Sequence, residues 1–157
     1  MGTLKVNKAT LKDLNKVVKY YIEFREDQTR FDKFYIVPPR GFVEGYLKRR
    51  LMDKDSLVAV LKIDDQIVGM CIAWIDVFKT AYFGMKKRGF IESIFIDRRY
   101  RRRGFATELF KYALNWIKSK NINYVTLDVF PRNTEVISFW EKLGFRTYLS
   151  SMRRRVS

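Results

Sequence analysis

The most constraining feature of the sequence is a strand pattern, a helix pattern and a second strand pattern that follow one another directly. Residues 90–97 (FIESIFID) and 124–130 (YVTLDVF) are rich in the β-branched and aromatic residues typical of strands. Between them, apolar residues recur at helical spacing, at Phe105, Leu109, Phe110, Ala113, Leu114 and Ile117. Two strands joined by a helix lie parallel and adjacent through a right-handed crossover. We therefore expect an α/β fold, built on a mixed α+β sheet with a parallel pair at its centre.

The residues before this unit predict two helices. Thr10 and Asp13 have the spacing of a capping box, and a helix is expected over about residues 11–24. Residues 25–40 are polar and aromatic and are expected to form a loop. A second, short helix follows, with Val43, Tyr46, Leu47 and Leu51 at helical spacing.

A hairpin and a C-terminal element complete the expected sheet. Runs at 57–63 and 67–77 are separated by three polar turn formers, which predicts a β-hairpin. A last helix is expected to begin near Asn133 and to end at Gly144. Residues 146–156 are expected to close the sheet as a further strand.

Length and composition restrict both the domain count and the chemistry. The chain has 157 residues, so residues 1–157 are expected to form one domain. It contains no histidine, which excludes Ser-His-Asp and Cys-His nucleophile systems and histidine-ligated zinc. Its one cysteine, Cys71, excludes an intrachain disulfide or a cysteine-cluster metal site, so no metal is expected.

The charge balance favours anionic partners. Lys and Arg number 32 against 17 Asp and Glu, a formal net charge of +15. A field of that sign attracts nucleic acid, acidic membranes and phosphate-bearing cofactors. No stretch of the sequence has the length and apolar character of a membrane span or of a signal peptide, so no membrane partner and a cytoplasmic location are expected.

The turn after the first strand has the properties of an anion-binding site. It reads RRYRRRGFA over residues 98–106 and leads directly into the helix. Amide groups at a helix N-terminus lack intrahelical partners and carry the positive end of the helix dipole. Gly104 and Ala106 would let a phosphate approach the backbone closely. The turn matches neither a Walker A loop nor the dinucleotide fingerprint, and an arginine run alone could be a solvated basic turn.

This turn resembles the first motif of the GCN5-related N-acetyltransferases. Arg101-x-x-Gly104-x-Ala106 after a strand is similar to that family's (R/Q)-x-x-G-x-(G/A) pattern. The segment NTEVISFWEKLGF at 133–145 is similar to its second motif, and KATLKDLNKVV and DDQIVGMCIAW to its usual opening. The resemblance spans nearly the whole chain.

The resemblance implies an acyl-CoA N-acyltransferase fold with splayed central parallel strands and acetyl-CoA held in the wedge between them. The pyrophosphate would bind the turn, and the pantetheine arm would pair with the open strand edge and with Asn133. The cofactor residues so implied are Ile94, Phe95, Ile96, Arg101, Arg102, Arg103, Gly104, Phe105, Ala106, Thr107, Asn133 and Trp140. For Asn133 the alternative is a helix N-cap alone.

The implied activity is direct transfer of an acetyl group from the thioester to a primary amine, with a protein or peptide amine favoured as the acceptor. Glu92 lies beside the implied thioester and could take a proton from the amine, directly or through water; the alternative is a surface ion pair. Strand alternation predicts that Glu92, Ile94 and Ile96 share one face, with Ser93, Phe95 and Asp97 on the other.

The sequence departs from the family pattern at Trp140, where a tyrosine often serves as general acid. An indole cannot supply that proton, so the acid is unassigned, with Tyr148 and Tyr100 as candidates. Trp140 could instead be core packing. The loops at 25–40 and 78–89 are candidates for the acceptor wall.

The sequence also supports one alternative function and one further partner. A basic nucleic-acid-binding or regulatory module on the same fold is the alternative function, supported by the charge and by arginine clusters at 98–103 and 153–155. Without a recognisable readout motif, only non-specific phosphate affinity would follow. A homodimer is possible, because dimers are common in the family, although no interface can be read from the sequence.

Overall fold

The computed structural model describes residues 2–79, 82 and 84–157. Its strands are β1 (Leu4–Lys8), β2 (Ser56–Ile63), β3 (Gln66–Val77), β4 (Lys87–Ile96) and β5 (Val125–Leu127). Its helices are α1 (Leu14–Thr29), α2 (Arg40–Met52), α3 (Phe105–Ser119) and α4 (Thr134–Lys142), with short 3₁₀ turns at Leu11–Asp13 and Arg98–Tyr100. No helix among the described residues is long and apolar enough to cross a membrane.

The strands form one mixed sheet in the order β1-β2-β3-β4-β5. The first four strands are antiparallel neighbours, whereas β4 and β5 are parallel and are joined by α3. The expected α/β fold, the hairpin and the strand–helix–strand unit are thereby confirmed.

Helices cover both faces of the sheet. On one face, α1 and α2 bury a cluster that includes Val17, Tyr20 and Leu47. On the other, α3 and α4 bury a cluster that includes Leu109 and Trp140. The apolar stripes of these helices, which recur at helical spacing, are the parts that lie against the sheet.

The central parallel strands separate soon after they pair. Residues Gly89–Ile91 of β4 pair with Val125–Leu127 of β5, and the ladder ends there. β4 continues to Ile96, so its last residues face a gap where a neighbouring strand would lie. The expected splay of the central strands is therefore present.

The helix boundaries and one strand differ from the sequence expectation. β1 was not predicted, because LKVNK is a short, mostly exposed edge strand in which only two apolar residues, Leu4 and Val6, alternate with polar ones. α1 continues to Thr29, so the expected loop at 25–40 begins one helical turn later. β4 begins at Lys87, so the expected loop at 78–89 ends before that residue, and its residues 80, 81 and 83 lie outside the described part of the chain.

The expected closing strand at residues 146–156 is wrong. These residues form neither helix nor strand. Side chains anchor the segment instead: Arg88 donates to the Tyr148 hydroxyl at 2.9 Å, and Arg153 pairs with Asp32. Three consecutive arginines at 153–155 repel one another and have no apolar alternation with which to bury one face of a strand.

Candidate active site

The open edge of β4 is the first component of the site. On one side, Ile94 and Ile96 are in register with Cys71 and Gly69 of β3. On the other side, pairing with β5 has ended at Ile91. On that side, the Ile96 carbonyl accepts from Arg101 Nε. The other backbone groups of residues 92–96 facing the gap have no partner strand and can pair with an extended ligand, as with an added strand.

Asp97 organises the turn that follows β4. Its carboxylate accepts from the Arg99 amide at 3.0 Å and from the Tyr20 hydroxyl at 3.0 Å, and it also pairs with the Arg99 guanidinium. The hydrogen bonds from the Arg99 side chain hold the pKa of Asp97 well below its usual range. Arg101 donates from Nε to the Ile96 carbonyl at 2.9 Å, which ties the turn back to the strand end.

The start of α3 presents free amides. Gly104 precedes the helix with φ of +80°, a left-handed conformation that favours glycine. The first intrahelical bond runs from the Glu108 amide to the Gly104 carbonyl, so the amides of residues 105–107 have no helical acceptor. A side chain at Gly104 would meet no atom within 4 Å, so the space beside this backbone is open. Free amides and an open approach are what a phosphate group requires.

The arginines of the turn are mostly engaged with other side chains. Arg98 pairs with Asp27 at 3.0 Å and Arg102 with Glu135 at 3.4 Å. The Arg103 guanidinium lies over the Tyr100 ring, 5.5 Å from its centroid. The three arginines expected to bind cofactor are therefore each engaged with another group of the chain: Arg101 with the Ile96 carbonyl, Arg102 with Glu135 and Arg103 with Tyr100.

A cleft opens where β4 and β5 separate. Its walls come from four elements, and they include Phe24, Gln28, Glu92, Phe130, Asn133 and Trp140. The cleft is thus bounded by α1 on one side of the sheet and by α4 on the other. Gln28 and Asp128, which also line it, were not singled out from the sequence, since neither lies in a recognisable motif.

Glu92 lines this cleft and belongs to a hydrogen-bond network. Its Oε1 accepts from the Tyr21 hydroxyl at 2.7 Å and pairs with the Arg25 guanidinium, and its Oε2 accepts from the Tyr46 hydroxyl at 2.7 Å. Arg50 donates in turn to the Tyr46 hydroxyl at 3.2 Å. The Glu92 side chain is only 10% exposed, so the surface ion pair considered from the sequence is in fact a buried one.

The expected strand face of Glu92 is wrong. Glu92 contacts α1 and α2, on the same side as the buried Phe95, whereas Ile94 and Ile96 pack with the α3 cluster. The cause is a β-bulge: Ile72 is in register with Ser93 and Ala73 with Ile91, so Glu92 is an extra residue in the ladder. An extra residue breaks the alternation on which the sequence argument depended.

Tyr21 and Tyr46 were read from the sequence only as apolar members of helix faces. Burial, reinforced by the Glu92 charge, raises the pKa of both hydroxyls above the usual tyrosine range. They therefore remain protonated and donate to Glu92. Nothing in helical spacing distinguishes a tyrosine that packs from one that also donates, so only the fold reveals this role.

Asn133 and Trp140 have structural contacts in addition to lining the cleft. Asn133 Oδ1 accepts from the Val136 amide at 3.4 Å, which makes Asn133 the N-cap of α4. Trp140 is 8% exposed and packs edge-on against Phe110 and Phe145. Trp140 thus belongs to the core, and its edge reaches the cleft.

The two tyrosines proposed from the sequence as proton donors lie elsewhere. Tyr148 is 62% exposed and its hydroxyl accepts from Arg88. Tyr100 packs at the margin of the α3 cluster. Neither is among the described residues that line the cleft.

The comparison with protein families decides the assignment. Residues 17–145 match the model described as Acetyltransferase (GNAT) family. The chain belongs to the GNAT acetyltransferase family. The match contains most of α1 and all of the open strand β4, the turn and α4, and it confirms the resemblance noted from the motifs.

Similar proteins include two named N-alpha-acetyltransferase 30. The one from Schizosaccharomyces pombe is 32% identical over 85 residues, which are 54% of this chain and 54% of the relative. The one from Xenopus laevis is 28% identical over 90 residues, which are 57% of this chain and 32% of the relative. The matches therefore span about half or less of these relatives.

Solved structures of low sequence identity share the fold. An aminoglycoside N-acetyltransferase AAC(6')-Iy in complex with CoA has a TM-score of 0.83 at 17% identity, covering 99% of this chain and 95% of that chain. A tetramutant of the BH1408 protein from Bacillus halodurans has a TM-score of 0.86 at 16% identity, covering 97% of this chain and 99% of that chain.

Proposed function

We propose that this GNAT family member is an acetyl-CoA-dependent N-acetyltransferase acting on a primary amine of a protein or peptide. The observation that carries the proposal is the separation of β4 from β5 directly before a helix start with free amides. In the reaction the thioester C–S bond breaks and an amide C–N bond forms. The proton lost by the amine balances the one gained by the CoA thiolate.

Acetyl-CoA fits this geometry along its whole length. The pyrophosphate would lie on the amides of residues 102–106, with the Thr107 hydroxyl nearby and Arg101, Arg102 and Arg103 attracting it. The pantetheine arm would follow the open edge at 94–96, and the Asn133 amide nitrogen, which capping leaves free, would donate to it. The acetyl group would then reach the cleft at Glu92.

Glu92 and the tyrosines around it would act on the acceptor amine. A primary amine is mostly protonated at neutral pH and must lose a proton before it attacks. Glu92 is a carboxylate that lines the cleft, and we assign it the role of proton acceptor, through a water molecule. The exposed Asp128 is the other carboxylate that lines the cleft.

A peptide amine is favoured over a polycationic acceptor. The net charge of +15 repels acceptors that carry several positive charges. Relatives of this chain are named N-alpha-acetyltransferase 30, whereas the aminoglycoside enzymes are similar in fold alone. The acceptor would enter beside Phe24 and Gln28, on the α1 side of the cleft.

The proposal is tested in two steps. Acetyl-CoA is titrated calorimetrically into the protein at low and at high salt, with a duplex oligonucleotide titrated in parallel. We expect saturable one-to-one acetyl-CoA binding that survives salt, and oligonucleotide binding that does not. No acetyl-CoA binding together with tight oligonucleotide binding would overturn the proposal in favour of a nucleic-acid module.

The second step identifies the acceptor. Short peptides with a free N-terminal amine and an aminoglycoside are incubated with acetyl-CoA and the wild-type or Glu92→Gln protein, and products are weighed by mass spectrometry. We expect acetylated peptide, formed more slowly by Glu92→Gln at unchanged acetyl-CoA affinity. Acetylation of the aminoglycoside alone would contradict the acceptor class, and wild-type kinetics in Glu92→Gln would remove Glu92 from the mechanism.

A further inference from the structure

The C-terminal segment, residues 146–157, reaches the loop between α1 and α2 through one ion pair. Arg153 donates to Asp32 Oδ2 at 2.9 Å, and its guanidinium lies over the Phe34 ring, 4.6 Å from the centroid. A carboxylate beside an aromatic face is a favourable site for a guanidinium or ammonium group. The structure therefore shows a site for a cationic side chain, filled by the chain itself.

The carboxylate in this site is held in place before any ligand arrives. Asp32 Oδ1 accepts from the Phe34 amide at 2.9 Å, and the Asp32 carbonyl accepts from the Tyr35 amide at 3.0 Å. These bonds leave Oδ2 directed to Arg153. The hydrogen bond from the Phe34 amide, together with the Arg153 guanidinium, holds the pKa of Asp32 below its ordinary value, so the group is ionised at neutral pH.

The site lies at the acceptor side of the cleft. The neighbouring loop residues Phe31 and Tyr35 both pack on Phe130, with centroid distances of 6.0 and 5.5 Å. Phe130 in turn lines the cleft between β4 and β5. Asp32 and Phe34 are therefore in the same short loop as the residues that border the acceptor entrance.

Arg153 is held loosely enough to be displaced. Its side chain is 61% exposed, and exposed ion pairs contribute little to stability. The Phe34 ring is also largely exposed, with Lys33 Nζ 5.2 Å from its centroid. A cation from solution can therefore compete with Arg153 for the same carboxylate.

We propose that Asp32 and Phe34 form a subsite for a basic side chain of the acceptor peptide, and that Arg153 occupies it until the peptide binds. This inference rests on the proposed acetyl transfer to peptides. The acceptor's basic residue replaces the Arg153 guanidinium on Asp32 Oδ2. Arg153 thus competes with the acceptor for this subsite. Removing Arg153 therefore strengthens binding of the acceptor's basic residue, whereas removing Asp32 weakens it.

The test measures acetylation of peptides that have a free N-terminal amine. Each peptide carries one arginine at a successive position after the amine, and its control carries glutamine there. For each pair, kcat/KM is measured with wild-type protein, Asp32→Asn and Arg153→Gln. Arg154→Gln is the matched control, because it removes the same charge from the next residue, which makes no ion pair within the described chain.

The two partners of one ion pair are expected to give opposite results. Asp32→Asn lowers the preference for the arginine peptide about threefold at the favoured position, and Arg153→Gln raises it about threefold. Arg154→Gln leaves it unchanged, and the glutamine peptides respond to none of the variants.

Changes of the same sign in Asp32→Asn and Arg153→Gln would mean a merely structural contact and would overturn the subsite. Equal kcat/KM for arginine and glutamine peptides at every position would overturn it as well, while the proposed function stood. If no peptide were acetylated by any of these proteins, the proposed acceptor class would fail and the subsite with it.

Discussion

At the scale of single residues, the buried side of the cleft is a chain of donors that converge on one carboxylate. Arg25 and Tyr21 donate to one oxygen of Glu92. Tyr46 donates to the other oxygen and in turn accepts from Arg50. A buried charge is tolerated only where such partners replace water. Removing one member therefore leaves another without its partner.

The Arg25–Glu92 pair is expected to contribute strongly to stability as a coupled unit. Glu92→Gln leaves the half-buried Arg25 guanidinium without a counterion, and we expect it to lower the free energy of unfolding by about 3 kcal/mol. The double variant with Arg25→Gln loses less than the sum of the single changes. Urea unfolding of the four proteins measures this coupling.

The matched control is the pair of Arg98 and Asp27. It also joins an arginine to a carboxylate, at 3.0 Å, but the Arg98 side chain is 74% exposed. Its coupling energy is expected below about 1 kcal/mol. Equal coupling in the two pairs would contradict the view that burial decides the strength of the Glu92 contact.

At the scale of elements, the turn proposed to bind the cofactor depends on one residue in a conformation that few side chains adopt. Gly104 has φ of +80° and leads into α3 without a capping side chain. An N-terminal cap would normally satisfy one of the free amides. Its absence here leaves those amides available, which suits a helix end that binds a phosphate.

Gly104→Val is expected to weaken acetyl-CoA binding while the protein remains folded. A β-branched residue is strained at positive φ and its side chain enters the space through which the phosphate approaches. We expect the affinity to fall about tenfold or more and the free energy of unfolding by about 2 kcal/mol. Calorimetric titration and urea unfolding measure the two effects.

Gly144→Val separates strain from binding. Gly144 follows α4 with φ of +95°, and a side chain there also meets nothing within 4 Å. The two glycine variants should lose similar stability, and only Gly104→Val should lose affinity. Unchanged acetyl-CoA affinity in folded Gly104→Val protein would remove the turn from the cofactor site.

At the scale of the whole molecule, the folded chain carries a large net positive charge. The net charge is +15, and the local ion pairs of the arginine turn do not alter that sum. Like charges repel more strongly in the compact state than in the unfolded chain. Salt screens this repulsion.

Added salt is therefore expected to stabilise the protein. Raising potassium chloride from low to physiological ionic strength should increase the free energy of unfolding by about 1 kcal/mol, or about 3 °C in Tm. Thermal unfolding followed by circular dichroism measures the change. A Tm that falls as salt is added would show that ion pairs outweigh the net repulsion.

Most of the fold was predictable because it depends on periodicity and on a few turn residues. The β4–α3–β5 unit, the hairpin and the turn at Gly104 follow from strand alternation, helical spacing and the conformational freedom of glycine. The turn at 98–106 was recognised as a candidate anion site because a helix start and its glycine can be located from the sequence. The open strand edge and Asn133 were implied by the family resemblance, and the cofactor residues stay a prediction.

The acceptor side was not predictable, because it depends on contacts between residues distant in sequence. Arg25 and Glu92 are 67 residues apart, and Arg153 and Asp32 are 121 apart. β1 was not predicted because its five residues are mostly exposed and contain only two apolar side chains, too few to mark a strand. Alternation placed Glu92 on the wrong face because one extra residue in β4 reverses the count.

Because of that bulge, the number of residues in β4 is constrained as well as their type. Deleting one residue between Phe90 and Phe95 would restore regular alternation and turn one end of the strand over. Either the Glu92 carboxylate would then be driven into the apolar surface beneath α3, or Phe95 would leave the ring of Tyr20, 5.1 Å away. Substitutions along β4 can therefore be tolerated during evolution, whereas the insertion or deletion of one residue there would disrupt either the fold or the contacts of Glu92.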